Sequence, residues 1–432
     1  MKYYFFTTLS ILLFISGHAQ NYTPFDTTSF SKRKLFIEEF SNRHKLKIKE
    51  IKKAYSGNTS KEIQESYSNQ FEYIKRKIDK KELYFDDKIQ SYIDKIVTEI
   101  ISNNPVLADK KIQAYFSRNS EPNAFSIGDG TIIFNLELLK YLNDEAEIGF
   151  VLSHEIAHYV LNHRDTSIQK SIIAQNSDEN KKAEKEIRKS KYNKQTKSDA
   201  LVKKYVYDGK YKSRYHEFQA DSLGLVFYKN TNYNSASSVD LLKHLSKTDT
   251  ERDSLSRKSY VKNFTTKNQP FLKDWIVMED FSKYNYSKDH IFNWNIDSLK
   301  THPNCDERIE RISSKIGTKK KDFYTDKIFF TDLKKRIEYE QIYNDYYIEN
   351  YGESLYNCLK QKEKDPKNIF LNKIIAANLE ALAKAKKEMR INTYIPSINP
   401  KAHTKSQQYY YGFMSNLTLS ELTQLATDYK NL

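Results

Sequence analysis

One stretch constrains this chain more than any other. From Ile148 to Leu161 the sequence is apolar on nearly every helical face, interrupted by Ser153, His154, Glu155 and His158. A helix that is apolar all round belongs inside a core. Imidazole and carboxylate groups are costly there unless they are paired or bind a metal. Asn143 or Asp144 is placed to cap this helix, and Asp144, Glu145 and Glu147 match the positive end of its dipole. The fold therefore has to enclose a polar constellation.

That constellation has the order His154-Glu155-Ile156-Ala157-His158, an H-E-x-x-H pattern. Positions i and i+4 share one helix face, so both imidazoles can reach one zinc ion, and Glu155 beside them can contact a water as general base. A catalytic zinc takes three protein ligands and keeps a position for water. Glu217, in His216-Glu217-Phe218-Gln219-Ala220-Asp221, is the third ligand on this reading. Asp221 stands i+4 from it, able to accept the outer N–H of a ligand histidine and fix its ring. Two alternatives stay open, Glu217 as an ordinary surface acid and His216 as the ligand. One Zn2+ per chain is expected.

The rest of the chain organises around that helix. Lys2, the apolar run Phe5 to Ile15 and the small residues Ser16, Gly17 and Ala19 read as a secretory signal over residues 1–19, with no lipobox cysteine nearby. Residues 20–31, rich in Thr, Ser and Pro, read as a linker. The pattern from Lys32 to about Asn103 is helical, with Ile89, Ile93, Ile96, Val97 and Ile100 as its core stripe. Ile112, Ala114 and Phe116 alternate as a strand, and Ala124 to Ile127 and Thr131 to Phe134 flank the turn Gly128-Asp129-Gly130 as a hairpin. Residues 165–214 form a Lys-rich helical excursion, and a second buried helix runs from Tyr215 to Tyr228. A helix from Pro303 to Lys315 follows. Tyr351 to Lys387, broken at Asp365-Pro366-Lys367-Asn368, is similar to one tetratricopeptide unit and equally to an ordinary helical hairpin.

His154-Glu155-x-x-His158 with Glu217-x-x-x-Asp221, Pro122-Asn123-Ala124-Phe125 with the Gly128-to-Phe134 hairpin, and Thr301-His302-Pro303 with Arg308 and Ile309 together resemble the HtpX-like and CAAX-prenyl-protease-related zinc peptidases. The resemblance spans roughly residues 89–315, and the absence of an internal apolar span is similar to the exported branch of that family. It implies a mainly α (α+β) fold: a zincin-type helical metallopeptidase domain over 32–320 with a small β element, and a helical, tetratricopeptide-like domain over 325–432. It further implies a zinc endopeptidase whose catalytic residue is Glu155, with Asn123, Ala124 and Phe125 along the substrate cleft. The long segment between His158 and Glu217 departs from the family pattern. His302 carries three readings: a latch on zinc, a donor to the transition state, or a plain helix start. Arg308 either pairs with an active-site carboxylate or packs on the surface.

The function expected is hydrolysis of exported or envelope polypeptides, unfolded or misassembled, in the periplasm of a two-membrane bacterium or outside the cell. A zinc-binding but silent chaperone or adaptor is the alternative, and a peptide-binding scaffold with an accidental motif is a third. The net charge of +15 is carried by Lys residues interleaved with acids and without a nucleic-acid signature, so no nucleic-acid partner is expected. Peripheral membrane association and partners of the C-terminal helices stay open, as does any pairing of Cys305 with Cys358.

Overall fold

The isoleucine stripe lies on α3 (Asp87–Ser102), and all five of its residues are buried. They enter the larger of two main cores in the computed structural model, which describes residues 22–247, 254–278, 303–318, 320–400 and 402–432. The segment read as a signal, Thr301 and His302 lie outside those residues. Before α3, α1 (Phe30–Ala54) packs on α2 (Gly57–Asp79). The helical pattern read from 32 to 103 is interrupted after Asp79: Lys81 turns to a φ of 57°, and Leu83 forms a β-bridge with Ser117. Asp86 then starts α3 by accepting from the amides of Lys88 and Ile89.

The β element is a sheet of β1 (Gln113–Ser117), β2 (Ala124–Ser126) and β3 (Thr131–Asn135) in the order β1-β3-β2. The hairpin forms as read, with Ala124 opposite Phe134 and Ser126 opposite Ile132. Its turn requires glycine at Gly130, where φ is +92° and a Cβ would stand 1.9 Å from the Lys111 carbonyl oxygen. β1 pairs parallel to β3, leaving β2 on the rim.

Against this sheet and α3 packs α4 (Glu145–Val160), the apolar helix. Asp144 is its cap, accepting from the Glu147 amide at 2.8 Å. α5 (His163–Gln175) and α6 (Asp178–Lys189) lead outward, and α6 buries no residue. The helix expected to begin at Tyr215 is longer. It is α7, Lys194–Asn230, whose Lys-containing outer part continues the helix before Tyr215 and is met by α6.

After α8 (Ser237–Leu245) the chain crosses to the second core. Leu255, Tyr260 and Phe264 of α9 and its approach (Arg257–Phe264), together with Trp275, pack among the C-terminal helices. α10 (Cys305–Ser313) returns to the first core through Ile312 and lies on α8. α11 (Lys327–Tyr347) spans both cores, giving Phe330, Leu333 and Ile337 to the first and Ile342 to the second. α12 (Tyr351–Lys364), α13 (Ile369–Lys387), α14 (Lys405–Asn416) and α15 (Leu419–Lys430) complete the chain, with α12 packed on α13 and α13 on α15.

The segment read as a linker makes contacts with the body of the protein. Phe25 is buried with its amide donating to Glu340 at 3.1 Å, and Thr27 accepts from Arg118. Tyr84 also donates to Glu340 at 2.7 Å, so this carboxylate ties the N-terminal segment, α11 and the first core together. Cys305 and Cys358 are not bonded to each other and belong to different cores. No helix among the described residues is long and apolar enough to cross a membrane.

Candidate metal centre

The centre forms where α4 crosses α7. Gly224, one turn after Asp221, permits the contact: a Cβ there would stand 2.9 Å from the His154 Cα and 3.1 Å from the Ser153 carbonyl oxygen. The close approach turns His154 and His158 of α4 toward Glu217 of α7. His154 Nε2 and His158 Nε2 are 3.0 Å apart, and the Glu217 carboxylate lies 3.5 Å from the first and 3.3 Å from the second. These three residues offer ligand atoms within 4.8 Å of one another, and among the described residues they form the one such group. Two imidazole nitrogens and a carboxylate suit a divalent metal. Glu217 is the carboxylate brought to both imidazoles, and His216 is not in that group.

Each remaining charge has an answering group. Asp221 Oδ1 is 3.0 Å from His154 Nδ1, and Arg308 on α10 grips the same carboxylate with two hydrogen bonds of 2.8 and 2.7 Å. Arg308 is buried, which resolves its two readings in favour of the active-site carboxylate. Burial alone would raise the Asp221 pKa, but Arg308 and His154 hold it at about 2. Burial alone would lower His154, yet Asp221 and Glu217 lift it to about 10. The same field that holds a proton on this ring in the metal-free protein attracts a cation.

Glu155 is fixed by the sheet. The Ser126 amide of β2 donates to its Oε2 at 2.8 Å. Asn123 O and Ile127 N bond across to β3, so alternation directs the backbone groups of Ala124 and Ser126 to the other edge, toward the cleft. Asn123 and Ala124 line the cavities on both sides of Glu155. One side is a space of about 570 Å³ with apolar walls from Leu138, Phe150, Val151, Leu241 and Leu245. The other, about 260 Å³, is lined among others by His158, His163, Arg164, Asp165 and His216. Phe125 lines this smaller side and also packs on the small core of α1 and α2. Pro303 and Asn304, next to His302 in the chain, line the larger side.

The sequence reading missed His163. Asn162 takes a left-handed conformation (φ 52°, ψ 35°) that ends α4 and brings His163 under His158. Its Nδ1 lies 3.0 Å from His158 Nδ1, and its ring stacks on His216 at 4.2 Å. Burial, then the neighbouring imidazoles, push its pKa down to about 4, so it is neutral. A third histidine five residues after the motif was the available signal.

A buried helix bearing two histidines and a glutamate, with a second helix supplying a carboxylate and a strand rim beside them, forms a candidate metal centre with a carboxylate-bearing wall. The comparison with known families agrees: peptidase family M48 matches residues 87–316, more than half of the chain, and the chain belongs to that family. A stretch of 82 residues is 29% identical to a β-barrel assembly-enhancing protease of Yersinia pestis, covering 19% of this chain and 16% of that one. The chain thus matches well under two thirds of that relative's length.

Proposed function

We propose that this protein is a zinc-dependent endopeptidase that cleaves exported or envelope polypeptides in extended, unfolded form. The observation that carries the reading is the convergence of His154, His158 and Glu217 at the floor of a cleft whose rim is a strand edge and whose wall carries Glu155. Those three residues would hold the zinc, and zinc bound there supplies a Lewis acid for the attacking water and the scissile carbonyl. Glu155, oriented by the Ser126 amide, takes a proton from the water and delivers it to the departing amine. The outward backbone groups of Ala124 hold the peptide as an added strand, which selects segments that are not already folded. Asp221 and Arg308 keep the His154 ring from rotating. The larger side of the cleft, where Leu138, Phe150, Val151, Leu241 and Leu245 stand, accepts a large hydrophobic side chain next to the cleaved bond.

The name of the Yersinia relative supports substrates met during protein assembly, and the reading of residues 1–19 as a signal supports export. The C-terminal helices offer a surface for partners, and the Lys-rich arm of α6 and the outer part of α7 offers one for an anionic membrane face. Incubating the purified protein with an unstructured polypeptide such as casein tests the reading. Cleavage should stop when a chelator removes the metal and return with zinc, and the cut sites should cluster beside Leu, Phe or Met. Cleavage that persists after complete metal removal would reject it.

A further inference from the structure

His163 has no part in the cleavage chemistry, yet it is buried against the centre. His158 faces two ways: its Nε2 looks toward His154 and Glu217, and its Nδ1 toward His163 Nδ1 at 3.0 Å. On its far side, His163 Nε2 lies 3.2 Å from Gln219 Oε1, half a turn along α7 from Glu217. His216 stacks parallel to the His163 ring, with an interplanar angle of 6°, and holds it in plane.

One arrangement of protons satisfies every contact. A neutral His158 that offers the Nε2 lone pair to a cation must carry its proton on Nδ1. That N–H points at His163 Nδ1, which must then be an acceptor, so His163 carries its own proton on Nε2. There the carbonyl oxygen of Gln219 accepts it, a group that has no proton to give. The reverse arrangement, with His163 protonated on Nδ1, makes His158 Nδ1 the acceptor and moves the His158 proton to Nε2, where it blocks ligation.

We propose that His163 and Gln219 form a positioning relay that fixes His158 in its ligating tautomer. The inference rests on the zinc reading above, because it needs His158 to be a ligand. His154 and His158 are then held by different means. The Asp221–Arg308 ion pair stands behind His154, and an imidazole and an amide stand behind His158.

Zinc release from the loaded, full-length protein into excess chelator tests the relay, together with nitrogen NMR of the histidine rings. His163→Leu and Gln219→Leu should release zinc faster, His163→Leu by about ten- to a hundredfold. His163→Asn places an amide oxygen where Nδ1 stood and should restore release close to the wild-type rate. In the wild-type spectrum, His158 should be protonated on Nδ1 and His163 on Nε2. Release from His163→Leu at the wild-type rate overturns the relay. So does equal acceleration in His163→Asn with an unchanged circular dichroism spectrum, which marks a packing role, and so does a His163 ring protonated on Nδ1. Wild-type protein that takes up no zinc sinks both the cleavage reading and the relay, whereas zinc uptake with any of those contrary results sinks the relay alone.

Discussion

The two parts of α7 share one continuous backbone and differ in almost everything else. From Lys194 to Lys203 no residue is buried, and Lys, Gln and Asp alternate in water. From Glu217 to Tyr228 the helix lies on α4, and Glu217, Ala220, Asp221, Gly224, Leu225, Phe227 and Tyr228 are buried. Acidic residues occur in both parts. Outside, Asp199 accepts from Gln195 one turn away. Inside, Asp221 meets an arginine and a histidine, and Glu217 meets two histidines. Residue type alone does not distinguish a solvated carboxylate from a chemical one. The helix packed against it does.

The largest effect should come from the α4 side of that contact. Glu155→Gln keeps the shape and the metal ligands but loses the proton acceptor, so peptide hydrolysis should fall at least about a hundredfold. Zinc content and helicity, measured on the same sample, should not move. Next comes the carboxylate that makes the two parts of α7 unlike. Asp221→Asn should weaken zinc binding or activity by roughly ten- to a hundredfold, measured by chelator competition. Asp199→Asn should leave both unchanged, and an equal loss there would break the contrast.

Two glycines sharpen it further. Gly224→Ala would force a methyl group against the His154 backbone and should destabilise by about 1–3 kcal/mol in denaturant unfolding. Gly209 lies in the outer part, where an added Cβ would meet nothing within 4 Å, so Gly209→Ala should stabilise by about 0.5–1 kcal/mol. Opposite signs along one helix are expected, and equal signs would mean that α7 does not press on α4.

The smallest effect concerns pH. Glu147, in the first turn of α4, is raised from 4.5 to about 7, chiefly by burial, although the Asn143 amide and His244 pull the other way. The folded protein then binds more protons than the unfolded chain between those values, so this residue makes stability fall as pH rises through that window. Glu147→Gln should flatten the slope of melting temperature against pH there, and an unchanged slope would show that Glu147 ionises normally.

Much of the centre was legible because its signals are local. Two histidines four apart on an apolar helix need no tertiary knowledge, and Glu217 with Asp221 repeats that spacing on a second helix. The hairpin was legible from its glycines. What escaped is non-local or set by one backbone angle. The parallel pairing of β1 with β3 joins strands separated by β2. The crossing of Leu255 to Trp275 into the second core follows from where the C-terminal helices stand, which no pattern within that segment encodes. His163 reaches His158 because Asn162 turns left-handed, and a sequence shows only that asparagine permits this. The two readings of Arg308 needed its partner in space.

Metal analysis of purified protein tests the assignment of the centre most directly. The wild-type chain should carry about one zinc, and His154→Ala, His158→Ala and Glu217→Ala should each lose most of it while remaining folded. Full zinc retention in Glu217→Ala would contradict the centre described here, because the carboxylate that α7 delivers to the two histidines would not be holding the metal.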